Sequence, residues 1–126
     1  MIHLNDGCVG LVFKTNNGQE VLIKSQIGKF DLFEAEDGYT YNEKGLAMLP
    51  DGSITSELTE PINTVQYTFC KYFEKSNYNR YKLRDSNVFF NKPYFVSESE
   101  HEVTFEIGCA TFICFKNCNN IIVSIS

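Results

Sequence analysis

The C-terminal part of the chain alternates apolar and polar residues with a period of two. This pattern is clearest over residues 103–107, and it indicates a strand with one buried face because side chains two positions apart share a face. Residues 109–115 are almost continuously apolar, as in a strand covered on both faces. A turn-rich break at 117–120 separates them from a third alternating segment at 121–126. Three strands with no helix between them predict an antiparallel meander.

A hairpin is predicted near the start of the chain. Two segments rich in apolar residues, 8–15 and 19–24, are joined by Asn16-Asn17-Gly18. Asn-Gly tolerates the positive φ values of a tight primed turn, so we expect that turn type here. The residues expected to share the core face of this hairpin are Leu11, Phe13, Val21 and Ile23.

Two further turns divide the chain up to residue 58. Residues 29–34 and 38–41 form a second predicted strand pair, which turns at Glu36-Asp37-Gly38. Pro50-Asp51-Gly52 predicts another turn, because proline sets the φ of the second turn position and glycine supplies a positive φ after it. The segments flanking that turn fit either a sheet or an ordered loop.

Residues 59–76 fit two structures. On a helical wheel the residues Ile62, Val65, Phe69, Tyr72 and Phe73 fall within roughly 100°, the width of a buried helical stripe. Thr59 is then the expected cap, and Pro61 is expected in the first turn. The alternative is a strand, because residues 64–69 also alternate and contain residue types that prefer strands.

The predicted fold class is mainly β. Antiparallel hairpins and a meander form a sandwich or a strongly curved sheet, with at most one short helix near residues 60–75. If that helix is present and packs on a sheet, the class becomes α+β. The length of 126 residues fits a single globular domain over 1–126, and no repeat or linker divides it.

Composition and charge exclude several classes of protein. The chain is 43% hydrophobic and 21% charged, as in a globular protein, and no apolar run reaches the ~20 residues that span a bilayer. The N-terminus lacks the pattern of a secretory signal, so we expect a cytoplasmic protein without membrane contact. A net charge of -5 argues against nucleic-acid binding. No catalytic or cofactor-binding motif occurs, which favours a protein that is not an enzyme and needs no cofactor.

The five cysteines are expected to be reduced thiols. An odd number cannot pair fully within one chain, and Cys109 and Cys114 have the hydrophobic neighbours of small buried residues. The spacings of Cys109, Cys114 and Cys118 differ from the Cys-x-x-Cys knuckles of structural zinc sites, so we expect no metal site.

The most informative feature is the segregation of charge. Residues 71–84 carry about +4 and the rest of the chain about -9. Arginine and tyrosine supply many interface hot spots and can also recognise phosphate groups, whereas an ordinary solvated face is the plain alternative. The candidate binding residues in this basic segment are Tyr72, Tyr78, Arg80, Tyr81, Lys82 and Arg84.

Acidic residues form a second candidate surface. Glu98, Glu100, Glu102 and Glu106 have the parity opposite to the apolar residues of 103–107, so we expect an acidic stripe on the outer face of that strand. Such a stripe protects against sheet-edge association more readily than it binds a metal, since its carboxylates cannot converge on one ion. His101 has the parity of the buried residues and is expected to be structural rather than catalytic. The residues predicted to form acidic surfaces are Glu34, Glu36, Asp37, Glu98, Glu100 and Glu102.

These observations favour a small non-catalytic protein that acts by occluding a partner macromolecule, in the manner of inhibitors, immunity proteins and phage accessory factors. The acidic region 31–60 is expected to steer towards a basic partner surface, with the segment 71–84 as the anchor. The alternatives are a module or enzyme that recognises phosphate or a nucleotide through 71–84, and a homo-oligomeric structural subunit whose basic and acidic segments meet.

Overall fold

Antiparallel strands dominate the computed structural model, which describes residues 2–28 and 31–126. The predicted mainly β class, with a curved sheet and one short helix in the described part of the chain, is confirmed. In chain order the elements are β1 (Val12–Thr15), β2 (Glu20–Ile27), β3 (Leu32–Ala35), β4 (Thr40–Asn42), β5 (Leu46–Met48), β6 (Ile54–Pro61), α1 (Thr64–Tyr72), β7 (Phe73–Lys75), β8 (Tyr81–Leu83), β9 (Tyr94–Glu98), β10 (Glu102–Ile107), β11 (Ala110–Phe115) and β12 (Ile121–Ile125).

The chain divides into two compact units, one up to Tyr67 and one from Thr68 to Ser126. The single-domain expectation for residues 1–126 stays a prediction.

The first unit is a six-stranded antiparallel sheet in the order β4-β3-β2-β1-β6-β5. The two outermost strands, β4 and β5, are consecutive in the chain and are joined by a tight turn, so the sheet curls until it is nearly closed. Asn42 holds this turn, because its Oδ1 accepts hydrogen bonds from the Lys44 and Leu46 amides at 2.9 and 3.1 Å. The edge strands β4 and β5 have only three residues each, and such short edge strands limit edge-to-edge association.

The predicted N-terminal hairpin is confirmed, with Phe13 paired to Val21. Its four predicted core residues are all buried. The turn type is wrong, however: Gly18 has φ +79 whereas Asn17 does not have positive φ, and Thr15 N donates to Gln19 O. The loop therefore has three residues with glycine in the left-handed position, instead of a two-residue primed turn.

The second predicted strand pair is present as β3 and β4, although Lys29 and Phe30 of that prediction lie outside the described residues. The Pro50-Asp51-Gly52 turn is confirmed, with Gly52 at φ +90. Its flanks, which the sequence left open between sheet and loop, are the paired strands β5 and β6.

The helix near 60–75 is confirmed as α1, and the strand alternative over 64–69 is wrong. The expected cap is also wrong, because Thr59 and Pro61 belong to β6, where Thr59 Oγ1 donates to the Lys14 carbonyl. Asn63 starts the helix instead, since its Oδ1 accepts from the Gln66 amide at 3.0 Å.

The second unit contains the predicted C-terminal meander. Its four-stranded sheet has the order β12-β11-β10-β9, and β7 pairs with β8 in a separate hairpin. Aromatic rings form the centre of this unit: Phe73 contacts Phe90, Phe105 and Phe112 edge-to-face at 5.1–6.1 Å between ring centroids. Phe69 stacks on Phe73 at 4.8 Å. These rings supply the apolar burial that a small sheet needs.

Candidate interaction surface

The β7–β8 hairpin carries the middle of the basic segment. Glu74 pairs with Lys82 and Lys75 with Tyr81, and Ser76 N donates to Arg80 O at 2.7 Å. The turn closes when Arg80 N donates to Asn77 O at 3.2 Å. This ladder fixes the direction in which the tip of the hairpin points within the second unit.

The tip is a primed turn with an unusual occupant. Tyr78 has φ +60 and ψ +33, and Asn79 follows with φ +59. Primed turns require positive φ at both central positions, which asparagine and glycine tolerate and a bulky aromatic residue rarely adopts. Tyr78 therefore holds strained backbone while its side chain is 95% exposed. Backbone strain retained without any packing gain is a feature of functional sites.

An open depression of about 540 Å³ lies beside the tip. Arg80 borders it and donates from Nη2 to the Phe89 carbonyl at 3.2 Å, which fixes the guanidinium group against the neighbouring loop. Phe89 is half-exposed. The lining residues are Ser76, Asn77, Tyr78, Arg80 and Phe89. An aromatic residue and an arginine beside a concave surface form a suitable contact for another protein.

The first part of the basic segment has a structural role. Lys71 Nζ lies 2.6 Å from the Cys118 carbonyl oxygen and 3.1 Å from that of Lys116. The Tyr72 hydroxyl lies 2.6 Å from both the Phe115 and Cys118 carbonyl oxygens, and Tyr72 is 7% exposed. Burial lowers the pKa of Lys71 and, together with the nearby thiols, raises the pKa of Tyr72 to about 12. Both side chains bind the loop that follows β11.

The last part of the segment also donates to backbone carbonyl groups. Lys82 Nζ contacts the Ser86 carbonyl at 3.0 Å and lies 3.6 Å from a Glu74 carboxylate oxygen. Arg84 Nε donates to the Cys70 carbonyl at 3.0 Å. The ring of Tyr81 packs edge-to-face on Phe69.

The six predicted binding residues therefore occupy different environments. Tyr78 and Arg80 come together at the exposed tip, Tyr81, Lys82 and Arg84 are half-buried, and Tyr72 is buried. The sequence prediction did not include Phe89. Its signal was the apolar run 88–90 between polar turns, which a short loop cannot bury completely.

The predicted acidic surface residues also lie in different parts of the structure. Glu34 lies 3.6 Å from Lys24, and Glu36 and Asp37 are exposed in the β3–β4 turn. In the second unit, Glu98 ends β9 and accepts from Lys116 Nζ at 2.7 Å, whereas Glu102 begins β10.

The predicted stripe on one strand is wrong, because Ser99 N donates to Glu102 O and turns the chain between those glutamates. Glu100 and His101 lie exposed in that turn, so the expected burial of His101 is wrong. Parity describes residues within one strand and fails across a turn.

Residues 2–28 and 31–126 contain no group of three His, Cys, Asp or Glu residues placed to hold a metal ion. The five cysteines, all within the described residues, form no disulfide. Cys8 and Cys114 are buried and Cys109 is exposed, so the expected burial of Cys109 is wrong. Cys109 lies in the turn between β10 and β11 and belongs to neither strand. The longest helix of the described chain, α1 with nine residues, is too short to cross a membrane.

Comparison of the chain with protein-family models, with curated proteins and with solved structures gives no match.

Proposed function

We propose that this protein is a non-catalytic binding protein that occludes a partner macromolecule, and that the β7–β8 tip is its anchor. The observation that carries this proposal is the 95% exposed Tyr78 ring held on a strained primed turn. Strained positive φ costs about 1–3 kcal/mol at a non-glycine residue, and the exposed ring recovers none of it by packing. A partner that buries the ring gives a reason for retaining this arrangement.

The tip has the properties of an interface hot spot. Tyrosine and arginine are enriched among residues that dominate binding energy. The hairpin hydrogen bonds hold the backbone of the tip and the Phe89 carbonyl holds the Arg80 side chain before binding, so little entropy of these two groups is lost on association.

Charge indicates the chemistry of the partner. Lys75 and Arg80 flank the tip and are exposed. We infer a partner surface that offers an apolar recess for the Tyr78 ring, rimmed by carboxylate groups. Steering by the exposed acidic residues of 31–60 towards a basic patch elsewhere on the partner stays a prediction.

The phosphate-binding alternative receives less support. Lys71, Lys82 and Arg84 each direct at least one nitrogen to backbone carbonyl oxygens, which reduces their capacity to surround a phosphate group. A cytoplasmic location belongs to the same proposal and stays a prediction.

Site-specific photo-crosslinking tests the anchor. A benzophenone amino acid replaces Tyr78 in cells of the source organism, and the crosslinked protein is identified by mass spectrometry. The matched control carries the same probe at Tyr39, another exposed tyrosine. The captured protein is then purified and titrated against Tyr78→Ala, Arg80→Ser and Tyr39→Ala.

We expect Tyr78→Ala to weaken binding by about 30-fold, the size of a hot-spot loss, and Tyr39→Ala to change it little. Equal binding by Tyr78→Ala and Tyr39→Ala would contradict the proposal. A thermal-shift titration with sodium tripolyphosphate addresses the alternative. Stabilisation of the wild type that disappears in Arg80→Ser would favour phosphate recognition instead.

A further inference from the structure

At four positions of the chain an aspartate or asparagine directly precedes a glycine. Glycine has no side chain to keep its backbone nitrogen away from the carbonyl carbon of the preceding side chain. Three of these pairs contain aspartate, at Asp6, Asp37 and Asp51, and the fourth contains Asn17. A carboxylate is ionised at neutral pH and resists attack by a nucleophile, whereas a carboxamide is neutral. Asn17 therefore has the most reactive side chain of the four.

Hydrogen bonds further restrain the two aspartates that lie in hairpin turns. Asp37 Oδ1 accepts from the Tyr39 amide at 2.9 Å, and its Oδ2 accepts from the Tyr41 hydroxyl at 2.6 Å. Asp51 Oδ1 accepts from the amide and the hydroxyl of Ser53 at 2.9 and 2.6 Å. The bonds from Ser53 lower the pKa of Asp51. Both carboxylates are thus protected by their charge and by the bonds that fix their oxygens.

Asn17 lacks this protection. It is exposed in the loop between β1 and β2. Within residues 2–28 and 31–126 its side-chain amide makes no hydrogen bond, whereas its backbone amide donates to Thr15 Oγ1 at 3.3 Å. The restraint acts on the nucleophile instead, because Gly18 N donates to the Thr15 carbonyl oxygen at 2.9 Å. The loop must open before the Gly18 nitrogen can attack Asn17 Cγ.

We propose that Asn17 is a site of spontaneous deamidation, and that opening of the β1–β2 loop sets its rate. The Gly18 nitrogen loses its proton to a base and forms a bond to Asn17 Cγ. The side-chain nitrogen takes up a proton and leaves as ammonia, and a cyclic succinimide remains. Water then adds to one of the two imide carbonyl carbons and opens the ring. One water is consumed and one ammonia is released, with no change of oxidation state.

The two possible ring openings give different products. Cleavage of the bond between the nitrogen and Cγ gives aspartate, and cleavage at the main-chain carbonyl carbon gives isoaspartate, which carries one extra atom in the backbone. Either product changes the net charge from -5 to -6, because a neutral amide becomes a carboxylate.

Isoaspartate also disturbs a contact of the loop with β6. Asn16 N donates to Glu57 O at 2.9 Å, and Glu57 N donates to Asn16 Oδ1 at 3.3 Å. A longer backbone beside Asn16 cannot keep both bonds without adjustment of the loop. This modification site does not depend on the partner anchor at Tyr78.

Peptide mapping by mass spectrometry tests the assignment. The wild type is incubated in mildly alkaline buffer, either native or unfolded in urea, and is then digested. Asp-N protease, which cleaves before aspartate and not before isoaspartate, separates the two products. We expect Asn17 to react before every other asparagine, and at least about fivefold more slowly in the native protein than in urea. A faster reaction elsewhere in the unfolded chain, or equal native and unfolded rates at Asn17, overturns the proposal.

Asn17→Gln is the matched removal. Its side chain is one methylene longer, so the same attack would have to close a larger and less favourable ring. Anion exchange of the urea-unfolded chains should detect a more acidic species in wild type and in Asn16→Gln, but not in Asn17→Gln. Because these chains are unfolded, the result does not depend on folding of the variants. An acidic species formed at the wild-type rate in Asn17→Gln contradicts the assignment.

Thr15→Val tests whether the closed loop sets the rate. It removes the hydroxyl that accepts from Asn17 N and keeps the branched shape at a buried position. We expect native deamidation to accelerate at least about threefold, with no change in urea. The matched control is Thr59→Val, which removes a hydroxyl bonded to the Lys14 carbonyl and should leave the rate unchanged. Equal native rates in folded Thr15→Val and wild type overturn the role of the loop. If Thr15→Val does not fold, the comparison of native and unfolded wild type decides.

Discussion

Tyr41 illustrates how a single polar atom is accommodated inside the first unit. The ring is fully buried, and the hydroxyl donates to Asp37 Oδ2 at 2.6 Å and lies 2.9 Å from Ser56 Oγ. A buried hydroxyl without partners would be strongly unfavourable. Burial, followed by the Asp37 carboxylate, raises the pKa of Tyr41 to about 12.

The raised pKa predicts alkaline sensitivity. The unfolded chain loses the phenol proton near pH 10 and the folded chain near pH 12, so this contribution to stability is complete below pH 10 and disappears as the pH rises to about 12. Urea unfolding between pH 8 and about 12 measures the effect. Tyr41→Phe should lose about 1–3 kcal/mol at pH 8 and show a weaker decline at high pH. An identical pH profile for variant and wild type would contradict the assignment.

The surroundings of Gly45 predict that its substitution lowers the stability of the fold. Its φ is +75, and an added Cβ would lie 3.1 Å from Ile2 Cγ2 and 3.2 Å from Leu58 Cβ. Gly52 has φ +90 with open space around it and is the matched control. Gly45→Ala should destabilise by about 1–3 kcal/mol more than Gly52→Ala, because both substitutions strain the backbone and only the first overpacks. Equal unfolding free energies would show that the β4–β5 turn adjusts without strain.

At the scale of elements, the hairpins show where local sequence decides and where it does not. The Asn17-Gly18 pair predicts a primed turn, yet the loop adopts three residues. The primed turn occurs at Tyr78-Asn79, which local preference disfavours. The ladder between Lys75 and Tyr81 continues to the Ser76–Arg80 hydrogen bond, which leaves three residues to reverse the chain. The Asn77–Arg80 hydrogen bond within this loop makes Tyr78 and Asn79 the central turn residues, so pairing overrides the preference of the tip.

The contacts of α1 with the loop after β11 predict the effect of removing one cation. Lys71→Met keeps the length of the side chain but removes its contacts with carbonyl oxygens, so the variant should lose about 1–3 kcal/mol of stability. Lys75→Met, at an exposed position of the same segment, should change stability by less than about 0.5 kcal/mol. Hydrogen exchange at residues 115–120 should accelerate only in Lys71→Met. Similar hydrogen-exchange rates at residues 115–120 in Lys71→Met and Lys75→Met would contradict a structural role for Lys71.

At the scale of the whole molecule, the cysteines differ in their exposure to solvent. Cys109 and Cys118 are exposed, and they lie at opposite ends of β11, whose six residues span roughly 20 Å. That separation exceeds the reach of a disulfide, which needs Cα atoms within about 7 Å. Cys8 and Cys114 are buried, and burial raises the pKa of the Cys114 thiol to about 12.

Thiol labelling tests this arrangement. Iodoacetamide should modify Cys109 and Cys118 rapidly in the native protein, because both thiols are exposed and the reagent can reach them. Cys8 and Cys114 should react only after unfolding in urea, when mass spectrometry should count five labels. A native Cys109–Cys118 bridge would contradict both the strand register and the proposed reducing compartment.

The sequence by itself determined part of the strand arrangement of this protein. Strand alternation has a period of two and needs only local residues, so the N-terminal hairpin could be predicted with its core face and the three-stranded meander with its strands. The charge of the basic segment was equally visible, and so were Tyr78 and Arg80 as members of a candidate site.

Only the tertiary structure decided which of those residues reach solvent. The carbonyl groups that bind Lys71 and Tyr72 lie more than 40 positions away in the sequence, so no local pattern could assign these two side chains a structural role. The position of β12 at the end of its sheet depends on strand order, which parity does not encode. Periodicity determines which face a side chain occupies, whereas long-range pairing determines what covers that face and which edge is left open.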